Sequence, residues 1–257
     1  MEKGTINNTV KRLMQMEINE LLDKNPTPQS KTTTFCILGQ KGTGKTYAMA
    51  ILAKHLEYPV LFVDTIGAAT EKQLLGQQAF YINVNTIDAQ KLLNALNAGF
   101  SKSSMVVVNL YSLIPREKVY IVDVLSAWAM GRGKVSVFVD EVAFICPQNR
   151  SSKLYSDEFH RLVMAGRNYG NVPVVFSTQR PQTANKDVLA LADKYLFFRL
   201  IHNLDRGKVK DLIGQNKEEW EQTEQHIMTL QTREAFLFYV DKGQRVIKKV
   251  LMPELKI

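Results

Sequence analysis

The sequence predicts an α/β fold in which a mostly parallel central sheet lies between layers of helices. Apolar runs of strand length alternate along the chain with segments of helical periodicity. Several of these runs are rich in Val, Ile and Phe without polar alternation, which is typical of parallel strands buried on both faces. The 257 residues are enough for one large domain around a substantial core.

The composition excludes several other classes of protein. Apolar residues make up 45% of the chain and charged residues 23%, which excludes a largely disordered chain. The two cysteines, Cys36 and Cys146, cannot form a disulfide framework and are expected to be buried free thiols in a reducing compartment. No apolar run reaches the roughly 18 residues of a membrane-spanning helix, and the N-terminus lacks the order of a secretion signal. We therefore expect no transmembrane segment and a cytoplasmic location.

The first 30 residues are predicted to form a helix and a linker ahead of the main domain. Residues 8–24 carry apolar side chains at spacings of three and four, with charged residues between them. Pro26 and Pro28 then end the helical pattern. This helix packs either on its own domain or on a neighbouring subunit. We expect residues 31–257 to form a single second domain.

Strands and helices alternate through this second domain. The predicted strands are Thr34–Leu38, Pro59–Val63, Met105–Leu110, Val135–Val139, Val172–Ser177 and Tyr195–Leu200. The predicted helices are Lys45–Leu56, Ala89–Ala98, Val119–Ala129 and Glu158–Arg167. The chain ends differently, because Glu234–Val240 and Arg245–Leu251 flank a turn at Asp241-Lys242-Gly243 and so predict a β-hairpin.

A phosphate-binding loop is the most informative motif. The pattern G-x-x-x-x-G-K-T follows an apolar strand and opens a helix, which is the context that phosphate binding at a helix N-terminus requires. Lys45 is expected to bridge the β- and γ-phosphates of a nucleotide, and the Thr46 hydroxyl to ligate Mg²⁺. The expected nucleotide contacts are Gly39, Gln40, Lys41, Gly42, Thr43, Gly44, Lys45, Thr46 and Tyr47.

Two further strands end in polar residues that suit ATP hydrolysis. The strand Val135–Val139 delivers Asp140 and Glu141 at its carboxyl end. Asp140 suits a role in holding Mg²⁺, and Glu141 suits the activation of a water for attack on the γ-phosphate. The strand Val172–Ser177 leads to Gln179, which either hydrogen-bonds near the γ-phosphate or simply ends the strand.

The chain resembles the HerA/FtsK superfamily of P-loop ATPases from the phosphate loop to the terminal hairpin. The resemblance is carried by Leu38–Thr46, Val106–Leu110, Val137–Glu141, Ala165–Gly170 and Val174–Pro181, and the phrase Ser-Thr-Gln-Arg-Pro within the last segment is the most specific of them. It implies a RecA-like fold in which one inserted strand separates the Asp-Glu strand from the phosphate-loop strand.

The resemblance also implies roles for residues that the motifs alone leave open. Gln179 corresponds to the sensor glutamine of the superfamily. Arg167 is the best match to the arginine that reaches into a neighbour's active site, with Arg199 and Arg180 as alternatives. Together with Lys45 and Glu141, these residues form the expected catalytic set. The implied assembly is a ring, expected to be a hexamer, that moves double-stranded DNA by contacts to its backbone.

The expected function is ATP-driven DNA translocation, most similar to that of viral genome-packaging ATPases, because the chain has no room for the extra domains of HerA or FtsK. Under the packaging hypothesis, we expect capsid, portal or membrane proteins as partners, and the host cytoplasm or the virion as the location. A conjugation, plasmid-maintenance or DNA-processing motor of the same superfamily is an alternative. An ATP-dependent assembly factor acting on proteins, or a slow nucleotide-gated binding module, are alternatives from other classes. The net charge of +8 suits nucleic acid but equally suits a solvated basic surface.

Overall fold

A sheet of nine strands forms the centre of the computed structural model, which describes residues 33–70, 74, 76, 78–150, 153–166, 168 and 170–252. The helix predicted at residues 8–24 lies outside these residues. The strands are β1 (Thr34–Leu38), β2 (Val60–Asp64), β3 (Phe80–Asn83), β4 (Met105–Asn109), β5 (Ser136–Asp140), β6 (Val174–Thr178), β7 (Lys194–Phe197), β8 (Glu234–Asp241) and β9 (Gln244–Leu251). The helices are α1 (Lys45–His55), α2 (Ala89–Phe100), α3 (Pro115–Arg132), α4 (Asp157–Ala165), α5 (Lys186–Ala190), α6 (Asn203–Ile213) and α7 (Lys217–Thr229).

The strand order is β3-β4-β2-β5-β6-β1-β7-β8-β9. In this order, the seven strands from β3 to β7 pair in parallel with their neighbours. Strands β8 and β9 add an antiparallel hairpin beside β7, at one edge of the sheet. One strand, β6, lies between the phosphate-loop strand β1 and the Asp-Glu strand β5. The predicted α/β fold with a mostly parallel sheet, an inserted strand and a C-terminal hairpin is therefore confirmed.

The core lies on both faces of the sheet. Along β1, Phe35 and Ile37 belong to one apolar cluster, whereas Cys36 and Leu38 belong to the other, since successive side chains of a strand point to opposite faces. Helix α1 packs on the first face. Helices α2 to α7 contribute buried side chains to the second. The five central strands are buried on both faces, which explains their continuous apolar runs.

Some elements differ from the prediction. The edge strand β3 and the helices α5, α6 and α7 were not predicted. Only alternate residues of β3 are half-buried, so its four residues carry a weak pattern. Helix α6 buries little apolar surface beyond Val209 and Ile213, a single pair four residues apart. The turn of the hairpin narrows to two residues, Lys242 and Gly243, both with positive φ as a tight hairpin requires. No helix in the described part of the chain has the length and hydropathy to span a bilayer.

Candidate active site

The phosphate loop, the pair Asp140-Glu141 and Gln179 meet at the carboxyl ends of the parallel strands. Leu38, the last residue of β1, pairs with Thr178, the last residue of β6. The Gly39 N–H donates to the Thr178 carbonyl across 3.3 Å, so the phosphate loop begins beside the end of β6. Strand β5 ends next to β6 at Asp140. The carboxyl ends of adjacent parallel strands thus bring together side chains that are far apart in sequence.

Glycines shape the loop where other residues do not fit. Gly44 caps α1 with φ +113°, and Gly42 has φ +79°, both in the left-handed region that favours glycine. A Cβ at Gly39 would lie 2.5 Å from the Phe198 Cβ. The Thr43 hydroxyl donates to the Gln40 carbonyl across 2.9 Å and closes the loop on itself. The loop therefore presents the N-terminus of α1 at the carboxyl end of β1, and a helix N-terminus is a favourable place for an anion.

Lys45 is buried at the centre of this site. Its Nζ donates to the Gln40 carbonyl across 3.1 Å. Burial lowers the pKa of Lys45, and the nearby carboxylates of Asp140 and Glu141 act in the opposite direction. A buried lysine between a loop of backbone amides and two carboxylates is placed to exchange its backbone contact for phosphate oxygens.

Asp140 lies beside the first turn of α1 and the end of β6. The Thr46 hydroxyl faces Asp140 Oδ2 at 3.5 Å, and the Ser177 hydroxyl donates to Oδ1 across 2.5 Å. Burial raises the pKa of Asp140, while the Ser177 hydrogen bond and the charge of Lys45 lower it. Two hard oxygen donors suit Mg²⁺, which usually combines one or two protein ligands with phosphate oxygens and waters. No cluster of three or more His, Cys, Asp or Glu side chains suited to a metal occurs among the described residues.

Glu141 is held in place by the end of β6. The Thr178 hydroxyl donates to Glu141 Oε1 across 2.6 Å, and the Gln179 backbone N–H donates to Oε2 across 2.9 Å. Burial raises the pKa of Glu141, and these two hydrogen bonds act in the opposite direction. The backbone of Glu141 is left-handed, with φ +59°, a conformation that non-glycine residues adopt mainly at functional sites and tight turns.

Asp64 organises the neighbouring loop rather than presenting free oxygens. Its Oδ1 accepts from the backbone N–H groups of Ile66, Gly67 and Ala68, and its Oδ2 accepts from that of Ala69. With both oxygens occupied, Asp64 fixes the turn after β2.

Three arginines are candidates for the residue that reaches into a neighbour's active site, and their surroundings differ. Arg180 forms an ion pair of 3.2 Å with the buried Asp205 of its own chain. The Arg199 carbonyl accepts from the Gln40 N–H across 3.1 Å, and Arg199 Nε is buried with no hydrogen-bond partner among the described residues. Arg167, the first choice, lies outside the described residues.

Two residues of the site were missed by sequence reasoning. Ser177 and Thr178 bind Asp140 and Glu141 through their hydroxyls. The sequence carries a signal for both, since they stand directly before Gln179 in the phrase Ser-Thr-Gln-Arg-Pro. Arg233 was missed as well: its N–H donates to the Thr43 carbonyl across 2.9 Å, so a residue of the C-terminal region reaches the phosphate loop.

Comparisons with known proteins identify solved structures of similar fold. In the search of solved structures, the chain is similar to the genome-packaging NTPase B204 of Sulfolobus turreted icosahedral virus 2 in complex with sulfate, with a TM-score of 0.60 and 16% identity, covering 89% of this chain and 100% of that one. It is also similar to B204 in complex with AMP, with a TM-score of 0.57, 14% identity and coverages of 84% and 96%.

A third structure, the DNA-packaging ATPase B204 of Sulfolobus turreted icosahedral virus, is similar with a TM-score of 0.58, 14% identity and coverages of 85% and 98%. At these identities the similarity shows a shared P-loop NTPase fold. No curated protein sequence matches the chain at a significant level. The family model for AAA, the ATPase family associated with various cellular activities, matches residues 35–200, which is more than half of the chain. The chain therefore belongs to the AAA family of P-loop ATPases and is an ATP-binding enzyme that hydrolyses ATP.

Proposed function

We propose that this ATPase is a translocase of double-stranded DNA and serves as a viral genome-packaging motor. The observation that carries the proposal is the fold, which covers 96–100% of the genome-packaging NTPase B204 in the three structures compared. The net charge of +8 supports binding to a phosphate backbone. The motif resemblance to the HerA/FtsK superfamily supports the same conclusion from the sequence.

In the proposed mechanism, the phosphate loop binds ATP by the backbone N–H groups of residues 42–46 at the N-terminus of α1. Lys45 binds the β- and γ-phosphates. The Thr46 hydroxyl and the Asp140 carboxylate would hold Mg²⁺, which neutralises developing charge on the phosphate oxygens when bound. Ser177 orients Asp140 by donating to Oδ1, which leaves Oδ2 facing Thr46.

Glu141 acts as the general base for hydrolysis in this proposal. Glu141 takes a proton from water as the water oxygen forms a bond to the γ-phosphorus. The bond between the γ-phosphorus and the oxygen that bridges to the β-phosphate breaks, which leaves ADP and phosphate. Thr178 and the Gln179 backbone N–H orient its carboxylate. In the proposed mechanism the side chain of Gln179, which directly follows β6, hydrogen-bonds near the γ-phosphate.

Replacing Thr178 tests the orientation of Glu141. We expect Thr178→Val, which keeps the shape but removes the hydroxyl, to lower kcat by about tenfold, the order of one hydrogen bond to a charged group. Thr178→Ser keeps the donor and should retain most of the activity. Steady-state kinetics with ATP compare the two variants, and KM should change little. Equal kcat for the Val and Ser variants would contradict an orienting role for the hydroxyl.

Self-association into a ring is part of the proposal, because two exposed aromatic side chains, here named the aromatic patch, lie near the site. The patch contains Tyr111, 70% exposed, and Phe144, 46% exposed. Tyr111 packs against Gly67 of the loop after β2, and Lys118 lies over the Phe144 ring and donates to the Thr65 carbonyl. Thr65 in turn donates to the Asp140 carbonyl.

In the proposed ring, a second copy of the chain covers this patch and supplies an arginine to the γ-phosphate. Arg167 remains the first choice for that arginine. Arg180 is the weakest candidate, because it is already paired with Asp205 of its own chain. An arginine supplied in trans would make hydrolysis depend on assembly.

Stimulation of ATP hydrolysis by duplex DNA tests the translocase. We expect a severalfold increase in ATPase rate with long double-stranded DNA at low salt, and a decrease of this stimulation as salt rises, because phosphate contacts release counterions. Duplexes of unrelated sequence should act alike. The Lys45→Ala variant serves as the control for contaminating ATPases.

An ATPase rate that is the same with and without DNA at low salt would contradict the translocase. That outcome would instead favour an assembly factor acting on proteins. DNA stimulation alone does not separate packaging from conjugation or plasmid maintenance. Binding of the ATPase to capsid or portal proteins, against binding to a relaxase or pilus protein, separates these motors.

A further inference from the structure

Arg233, the residue directly before β8, is hydrogen-bonded to the phosphate loop. The Arg233 N–H donates to the Thr43 carbonyl across 2.9 Å, and the Arg233 carbonyl accepts from the Met252 N–H across 2.9 Å. Arg233 is thus bonded on one side to the loop and on the other to the end of the C-terminal hairpin. Its backbone is left-handed, with φ +73°, which is uncommon for a residue other than glycine.

The side chain of Arg233 extends toward the first turn of α1. Its guanidinium carbon lies 5.6 Å from the centre of the Tyr47 ring. Both side chains are half-buried, so each keeps surface that solvent or a ligand can reach. A Cβ added at Gly44 would lie 3.3 Å from the Arg233 Cα, which shows how closely this segment approaches the loop.

The strand order indicates on which side of the loop the base of a nucleotide lies. Asp140, Glu141 and Gln179, at the ends of β5 and β6, mark the side of β1 to which the γ-phosphate points. If the γ-phosphate lies on that side, the α-phosphate and the nucleoside lie on the other side of the loop, toward β7 and β8. Arg233 lies on that side, at the start of β8, and Tyr47 directly follows Thr46 on α1.

We propose that Arg233 and Tyr47 form the subsite for the nucleobase of ATP, with the guanidinium plane as the stacking surface. This rests on the proposed binding of the phosphates in the loop, but not on DNA translocation. A planar guanidinium stacks on aromatic rings and is less strongly hydrated than an ammonium group. Stacking reads the area of a base rather than its hydrogen-bonding edge. The subsite therefore favours purine over pyrimidine nucleotides.

The test compares ATP with inorganic tripolyphosphate, which carries the phosphates without a base. Arg233→Gly removes the side chain, and glycine readily adopts the left-handed backbone, so the hydrogen bond to Thr43 is kept. We expect this variant to bind ATP about tenfold more weakly, the order of one base stacked on an aromatic or guanidinium group. Its affinity for tripolyphosphate should be unchanged, as measured by calorimetry.

Two further variants sharpen the comparison. Arg233→Lys keeps the charge but lacks the plane, and should also lose ATP affinity without losing tripolyphosphate affinity. Arg245→Ala, on strand β9 of the same hairpin, is the matched control and should bind both ligands like the wild-type chain. In turnover assays, Arg233→Gly should raise KM for ATP, leave kcat unchanged and reduce the preference for ATP over CTP, because stacking is the same in the ground and transition states.

Three outcomes would overturn the subsite. Equal loss of ATP and tripolyphosphate affinity in Arg233→Gly would show that Arg233 only supports the loop. Unchanged ATP affinity would show that the base lies elsewhere. Failure of the wild-type chain to bind tripolyphosphate would remove the phosphate placement on which the subsite rests. None of these outcomes depends on whether DNA stimulates hydrolysis.

Discussion

Lys45→Ala is expected to reduce ATP turnover by about 10²- to 10³-fold, the size of losing one preorganised contact to developing charge. In this chain the charge of Lys45 acts on both Asp140 and Glu141, and in the proposed mechanism Lys45 binds the β- and γ-phosphates. Steady-state phosphate release with saturating ATP and Mg²⁺ measures the loss.

The fold should survive this change. The apolar contacts that hold α1 to the sheet come from other residues of the helix, such as Met49 and Ile51. The unfolding temperature should therefore stay close to that of the wild-type chain. Lys54→Ala, an exposed lysine near the C-terminal end of α1 and outside the phosphate loop, is the matched control and should keep most of the activity. Normal turnover by the Lys45 variant would rule out the proposed phosphate site.

Glu141→Gln is expected to lower kcat by about 10²- to 10⁴-fold while ATP binding is retained, because general-base catalysis contributes on that scale. The amide accepts no proton from the attacking water. In the wild-type chain both carboxylate oxygens of Glu141 accept a hydrogen bond. In the variant the amide NH₂ group replaces one of these oxygens, so a donor would face either the Thr178 hydroxyl or the Gln179 N–H, which is also a donor.

Binding and hydrolysis should separate in this variant. Single-turnover measurements should show ATP held on the protein without release of phosphate. Glu218→Gln, which removes an exposed carboxylate in the first turn of α7, is the control and should behave like the wild-type chain. A Glu141 variant that hydrolyses ATP at the wild-type rate would transfer the role of base to another group.

The central part of the fold could be predicted because its elements carry strong local patterns. Thr34–Leu38 is wholly apolar apart from its first residue and borders the phosphate loop, and the structure starts and ends β1 at those same residues. The edge strand Phe80–Asn83 and the helix Lys217–Thr229 lack such patterns, since the strand has only half-buried and exposed side chains and the helix buries only Trp220 and Ile227. For these elements, contacts with the rest of the chain decide the structure more than local sequence does.

The same distinction holds for the site. The residues of the phosphate loop and the pair Asp140-Glu141 lie in compact motifs, so they could be proposed from sequence, and the structure brings them together. The contacts of Thr178 with Glu141 and of Arg233 with Thr43 join distant parts of the chain. Their geometry depends on strand order and register, which no short motif encodes. The role of each residue remains a prediction that the variants above test.

The pairing of two hydroxyls with two carboxylates makes the site sensitive to how β5 and β6 are aligned. Ser177 binds Asp140 and Thr178 binds Glu141, which continues the register Val137–Val174 of the two strands. A slip of one residue would turn each side chain to the opposite face of the sheet. The carboxylates would then lose both partners at once. A copy of the chain in which these two strands had slipped would therefore lose ATPase activity, so specific activity would report the fraction of protein with the correct strand register.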